Sequence, residues 1–225
     1  MKQTSIRTML VVVLVLAGFS TVHSLQGGQN GGKPRPALLE PIKRPLGNLH
    51  DLATQSGGKF VAIFKPNRGR ASGDLVALAK QSEAVVIGRV LAQRAHLTPD
   101  GTFITTSLQV VIQEVLKGNL TTRRTISVRL PGGAHRFPDG TSAQLHCMNY
   151  RETRNDGTYV FFLRTSTDGQ YDVTGEIEGQ FELDFQSRQV WPSERGEKAP
   201  LEKKYSGRII ADFLSILHGA VGRKK

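Results

Sequence analysis

The sequence predicts a mainly β domain, a sandwich or small barrel, with a short helix ahead of it and an amphipathic helix behind it. Three observations carry this prediction. Segments of period two, or β-branched runs, recur between residues 84 and 191. Turn signals such as Asp100–Gly101 and Asp168–Gly169 separate them. Apolar faces of helical period occur only near the two ends, in "DLVALAKQSE" and "SGRIIADFLSILHG". Strands spaced in this way favour an antiparallel architecture over a parallel α/β sheet.

In chain order, Lys2 and Arg7 precede the apolar run Met9–Phe19, and "STVHS" follows it. This is the pattern of an export signal, with residues 1–24 removed by a cut between Ser24 and Leu25. The run is shorter than the roughly 20 residues a spanning helix needs. Residues 25–71 read as a flexible basic linker rich in Gly and Pro, although "KFVAIFK", Lys59 to Lys65, has the composition of a short strand. The folded domain is expected over 72–219. Ser72 is placed to cap the first helix, with Leu75, Val76, Leu78 and Ala79 on its apolar face. "AVVIGRVLAQ" follows as a buried strand. Then Ile104, Thr106, Leu108, Val110 and Ile112 alternate with polar neighbours, as Ile126, Val128 and Leu130 do in "RTISVRL".

A loop is expected from Pro131 to Thr141, a short strand in "AQLHCMN", and a central strand in "GTYVFFLR". The closing helix has Ile209, Ile210, Phe213, Leu214 and Leu217 on one side, with Ser206 as its cap and Gly219 as its stop. Residues 220–225 form a basic tail.

"DVTGEIEGQFELDF", Asp172 to Phe185, raises a question in a chain of formal charge +11. Val173, Ile177, Phe181, Leu183 and Phe185 share one parity, and Asp172, Glu176, Glu178, Glu182 and Asp184 the other. Read as one long strand, the apolar set fills a core while the carboxylates face solvent, offset by basic residues of the protein itself. Gly175 and Gly179 would let such a strand coil or bulge. A calcium site on Glu176, Glu178 and Glu182 is disfavoured, because side chains projecting in parallel from one strand do not converge on an ion.

"EAVVIGRVLAQ", "LQVVIQEVLKGN", "TISVRLPGG" and "GTYVFFLR" together resemble exported bacterial proteins similar to the netrin-like domain, over roughly residues 74–191. The resemblance implies a small, closed or partly open OB-like antiparallel barrel of the kind also found in tissue inhibitors of metalloproteinases, with the closing helix flanking it. Those inhibitors chelate zinc through a cysteine at the mature N-terminus. Here Leu25 would begin the mature chain, and the netrin-type disulfides are absent, so no functional residue carries over.

No catalytic motif stands out. Cys147 is the only cysteine, which excludes an internal disulfide and a CxxC site. His146–Cys147 as a dyad fails because neighbours on a strand point to opposite faces; His135 remains the alternative partner, and a small buried hydrophobe is the plainer reading of Cys147. A zinc site on His135, His146 and Cys147 lacks a fourth ligand. "GGKF" is not a phosphate-binding loop. Asn119–Thr121 matches a glycosylation sequon. No metal, cofactor or catalytic residue is assigned.

The leading expectation is a secreted or periplasmic non-catalytic binding module, monomeric, using a barrel face or the "LPGGAHRFPDG" loop to contact a protein or polyanionic partner. The alternatives are a barrel that binds polysaccharide or nucleic acid through Lys59, Lys65, Arg68, Arg70, Arg123, Arg124 and Arg129, an inhibitor of an extracellular protease, and a hydrolase using Cys147.

Overall fold

Two runs, "AVVI" at 84–87 and "YVFFL" at 159–163, are apolar on both parities, and both of their faces are buried. A computed structural model of the chain describes residues 47–66 and 73–222. Its elements in order are α1 (Leu49–Gln55), β1 (Lys59–Phe64), α2 (Leu75–Gln81), β2 (Ala84–Leu97), β3 (Ile104–Lys117), β4 (Thr125–Pro131), β5 (Gly133–Arg136) and β6 (Ser142–Cys147). They continue as β7 (Thr158–Thr165), β8 (Tyr171–Val173), β9 (Gln180–Asp184), β10 (Gln189–Pro192), α3 (Pro200–Tyr205), β11 (Arg208–Ile209) and α4 (Ile210–Ala220).

The predicted mainly β, barrel-like fold is present. In the larger sheet β7, β2, β3, β4 and β8 are neighbours in that order, and β8 pairs back to β7, which closes the ring. Two pairs depart from the expected antiparallel pattern: β1 and β6 run parallel in a separate small sheet, and within the ring β4 and β8 run parallel, with Val128 opposite Tyr171. A parallel pair needs a long crossover, and residues 132–170 supply it. Inside the ring lie Val86, Leu108, Val110, Ile126, Val128, Phe161 and Val173.

β2 and β7 turn their other faces outward against helices. Val85, Ile87, Val160 and Phe162 meet Leu75, Leu78 and Ala79 of α2, Leu201 and Tyr205 of α3, and Phe213 and Leu217 of α4. This double burial is why these two runs lose their period-two alternation. A third cluster joins α1 to a small sheet of order β1-β6-β5, through Leu49, Phe64, Ile104, Phe137 and Leu145.

Several local expectations are corrected. The cap of α2 is Asp74, whose carboxylate accepts from Ala77 N at 2.7 Å, and Val76 is exposed rather than packed. Ser206 follows α3, a helix the sequence reading missed; α4 begins at Ile210, leaving Ile209 exposed. The loop after Pro131 contains β5. Helix α1 and strand β1 fall within the stretch assigned to linker. The leader, Ser72, Arg68, Arg70 and the last residues of the basic tail lie outside the described residues.

The largest correction concerns Asp172–Phe185, which is two strands joined by a turn. Thr174 N donates to Phe162 O, and Phe162 N donates to Gly179 O, both at 2.8 Å. One residue of β7 therefore holds both ends of the turn, and along that edge its partner changes from β8 to β9. A side chain at Gly179 would have its Cβ 2.7 Å from Thr174 O, so the closure depends on glycine there. Val173 consequently faces the ring interior, whereas Phe181 and Leu183 face the helices. Phe185 sits past the end of β9 with 64% of its surface exposed.

Candidate functional site

Gly132 and Gly133 make the sharp exit from β4 into β5, at φ +91° and +135°. A Cβ on Gly133 would lie 2.6 Å from Thr106 Oγ1, so only glycine lets the small sheet sit this close to β2 and β3. The junction leaves a cleft of about 310 Å³. Its walls are the 131–134 backbone, Gln93, Thr106, Gln144 and His146, with Tyr150, Glu152 and Thr153 from the segment before β7. Among the described residues that line it there is no lysine or arginine.

A polar network underlies that segment. Gln93 Nε2 donates to Thr153 O at 2.8 Å, and Gln180 Nε2 donates to Thr153 Oγ1 at 2.8 Å. The Tyr150 and Thr153 hydroxyls are also bonded. Burial pushes the Tyr150 phenol well above its ordinary range, which keeps it protonated as a donor. Further along, Arg154 N donates to Tyr159 Oη at 2.8 Å.

Glu182, 3% exposed, is the anionic centre of this region. Arg154 donates to its carboxylate, and Arg151 stands 3.8 Å away while covering the Trp191 ring at 4.8 Å. Each guanidinium takes its direction from its surroundings. Burial lowers the pKa of Arg151, with Arg195 adding to the effect; the hydrogen bond to Glu182 raises that of Arg154.

The expectation of a wet acidic face is therefore overturned at Glu178 and Glu182, each 3% exposed. Offsetting by the protein's own bases does occur. Asp172 holds Arg129 through two bonds, at 2.9 and 3.1 Å, and Glu182 holds Arg154 and Arg151. Glu178 accepts from Gly73 N at 3.3 Å, and Asp184 caps the β9–β10 turn at Gln186 N. Among the described residues no group of three or more His, Cys, Asp or Glu is arranged to hold a metal ion.

The predicted basic residues do not form one patch. Lys59 and Lys65 are exposed at the two ends of β1, in the small sheet. Arg123 and Arg124 are exposed in the β3–β4 turn, bonded to Ile112. The small sheet packs near Ile104, so about 25 Å of β3 separates the two pairs. Arg129 is occupied: besides Asp172 it donates to Asp168 Oδ2 at 2.9 Å and to Ser166 Oγ at 2.7 Å. Cys147, half-buried, packs against the core of the small sheet. His146 takes the opposite parity on β6, and His135 stacks edge-on against Phe137 with centroids 4.9 Å apart.

No family model matches the chain. A search of curated proteins also finds no match. The cleft offers a concave, mostly uncharged surface that mixes amides and hydroxyls with the apolar Leu130, Pro131, Ala134 and Leu145, backed by the hydrogen bonds of Gln93, Tyr150, Thr153 and Gln180.

Sequence reasoning missed Tyr150, Arg151, Thr153, Arg154, Gln180 and Trp191. The one available signal was compositional: tyrosine and tryptophan combine a large apolar body with a group that needs a partner when buried.

At the side of the small sheet, His50 Nε2 lies 2.8 Å from Asp139 Oδ2 and ties α1 to the β5–β6 turn. The His50 hydrogen bond, with two more from Thr141, holds the Asp139 carboxyl at about 2, below the ordinary value of about 4. A folded-state pKa below the unfolded one contributes stability above pH ~4, lost as pH falls toward ~2. Asp100, Asp168 and Asp184 are shifted in the same direction, chiefly by hydrogen bonds. Urea midpoints should therefore drop steeply between about pH 4 and 2, and Asp139→Asn should flatten part of that slope. An unchanged slope in Asp139→Asn would show that the link to α1 carries no acid sensitivity.

Proposed function

We propose that this protein is an exported, non-catalytic binding module whose cleft between barrel and small sheet holds an extended segment of a partner protein. The observation that supports this reading is the make-up of the cleft. Gln93, Gln144 and the edge strand β5 present amide donors and acceptors suited to a peptide main chain, with Glu152 as the charged group at the rim. A polyanion is poorly served by walls without lysine or arginine. The export pattern in residues 1–24 and the likeness of residues 74–191 to netrin-like barrels are consistent with a module acting outside the cytoplasm.

The competing polyanion reading rests on the exposed pair Arg123 and Arg124, bonded to Ile112 of β3. One experiment separates the two. Partners are captured from the native extracellular fraction by wild type, by Gln144→Trp and Ala134→Trp, which fill the cleft, and by Arg123→Glu/Arg124→Glu. Cleft filling should weaken capture about tenfold or more, and charge reversal should leave it unchanged. Loss on charge reversal alone, with steep salt dependence of heparin retention, would replace the peptide reading with the polyanion one.

A further inference from the structure

Strand β2 outruns one of its neighbours. β7 pairs with it only from Ala84 to Arg89, whereas β3 follows it to Leu97. The last bonds on the β7 side join Val90 to the segment before β7, from Val90 N to Gly157 O at 3.0 Å and from Asp156 N to Val90 O at 2.8 Å. Past the register shift at Leu91, that edge of β2 has no strand beside it. Leu91, Ala92, Gln93, Arg94 and His96 are accordingly exposed.

The register fixes which groups line the open edge. In β3, Ile104 and Ile112 bond to Gly132 and Arg124 on the β4 side. Thr105 and Ser107 have the other parity and bond toward β2, to His96 and Arg94. Gln93, Ala95 and Leu97 therefore turn their main-chain N–H and C=O groups outward, and among the described residues these groups have no hydrogen-bond partner. On the outer face of the hairpin Arg94 and His96 stand opposite Ser107 and Thr105, and among the described residues neither has an ion pair.

We propose that this edge receives the partner's extended segment as an added strand beside β2, with acidic side chains on the parity that meets Arg94 and His96. Main-chain bonds to Gln93, Ala95 and Leu97 hold such a strand, and alternate side chains give it specificity. The proposal rests on the reading of the cleft as a peptide site. Gln93 lines that cleft, so the other parity of the same segment is directed to its walls. A second copy of the chain is the poorer occupant: in the register centred on Ala95, Arg94 would face His96 of the other copy, base against base.

The test uses the full chain and blocked peptides of about seven residues that alternate valine with glutamate or with lysine. The glutamate peptide should bind about tenfold more tightly than the lysine one, and Arg94→Glu/His96→Glu should reverse that order. In the free protein the amides of Gln93, Ala95 and Leu97 should exchange rapidly. Bound peptide should slow them about tenfold and leave Arg94 and His96, already bonded to β3, unchanged. Ala95→Pro deletes an outward N–H without touching the β3 ladder and should weaken binding about tenfold. N-methylation of one alternate set of peptide amides should do the same against wild type, and methylation of the other set should not. Slow exchange at the three outward amides of the free protein, indifference to both methylated sets, or equal binding of the two peptides would each overturn the proposal. Partner capture lost in Gln144→Trp but kept in Ala95→Pro would remove the added strand and leave the cleft. Capture kept in Gln144→Trp but lost in Ala95→Pro would support the added strand and remove the cleft.

Discussion

Replacing Glu182 with alanine should destabilise the protein by about 2–3 kcal/mol, more than removal of either of its arginines. The carboxylate is almost wholly enclosed, and its two cations differ in their freedom. The Arg154 side chain is 66% exposed and that of Arg151 27% exposed. With Glu182 gone, Arg154 can turn into water, but Arg151 stays between Trp191 and the sheet with Arg195 nearby and only the weaker influence of Glu202 to balance it. Arg154→Ala leaves Glu182 with Arg151 and should cost under about 1 kcal/mol, because the lost partner was mostly solvated. Urea denaturation of the two single variants and the double variant would measure the coupling. Equal costs for Glu182→Ala and Arg154→Ala would mean that Arg151 does not depend on the carboxylate.

That asymmetry also marks where the sequence stops being legible. Strands β2, β3, β4 and β7 were readable because each satisfies a local rule. Ile126, Val128 and Leu130 alternate, and Tyr159–Leu163 is apolar throughout because a helix layer covers its second face. The alternation from Asp172 to Phe185 obeyed the same rule yet spans two strands. Its parity survives a turn because Phe162 N and O clamp both ends, a contact between residues far apart in sequence that no local pattern records. Val173 and Phe181 thus share a parity and serve different cores.

The cleft was legible only in part. "LPGGA" reads as a loop with potential for contact, and Gly132 and Gly133 do form one wall. Tyr150, Thr153 and Gln180 left no pattern, because their roles depend on a nonperiodic segment folding back over β9. The basic residues misled for a related reason. Charge is additive in a composition, but its effect depends on placement: Arg129 is consumed by Asp168 and Asp172, while the small sheet that carries the β1 pair packs near Ile104 and the pair in the β3–β4 turn is bonded to Ile112, about 25 Å along β3.

Phe181→Ala should be the most damaging single truncation, at about 3–5 kcal/mol. The ring is fully buried and contacts three others: Phe213 at 5.2 Å, Phe162 at 5.8 Å and Tyr205 at 6.3 Å between centroids. Those partners come from α4, β7 and α3, so one side chain joins the outer wall of the ring to two helices of its cover. Removing it leaves a cavity that neither helix can fill without leaving its other contacts. Phe181→Leu, which keeps most of the volume, should cost about 1–2 kcal/mol. The damage should also be directional. Amide exchange should accelerate most in α3 and α4, and less in β3, whose buried face packs on Val128 and Phe161 inside the ring. If Phe181→Ala cost less than about 1 kcal/mol, the helices would be held mainly by Leu217 and Ile210. If exchange rose equally in β3 and α4, the ring and its helical cover would form one cooperative unit rather than a closed barrel carrying a separable layer.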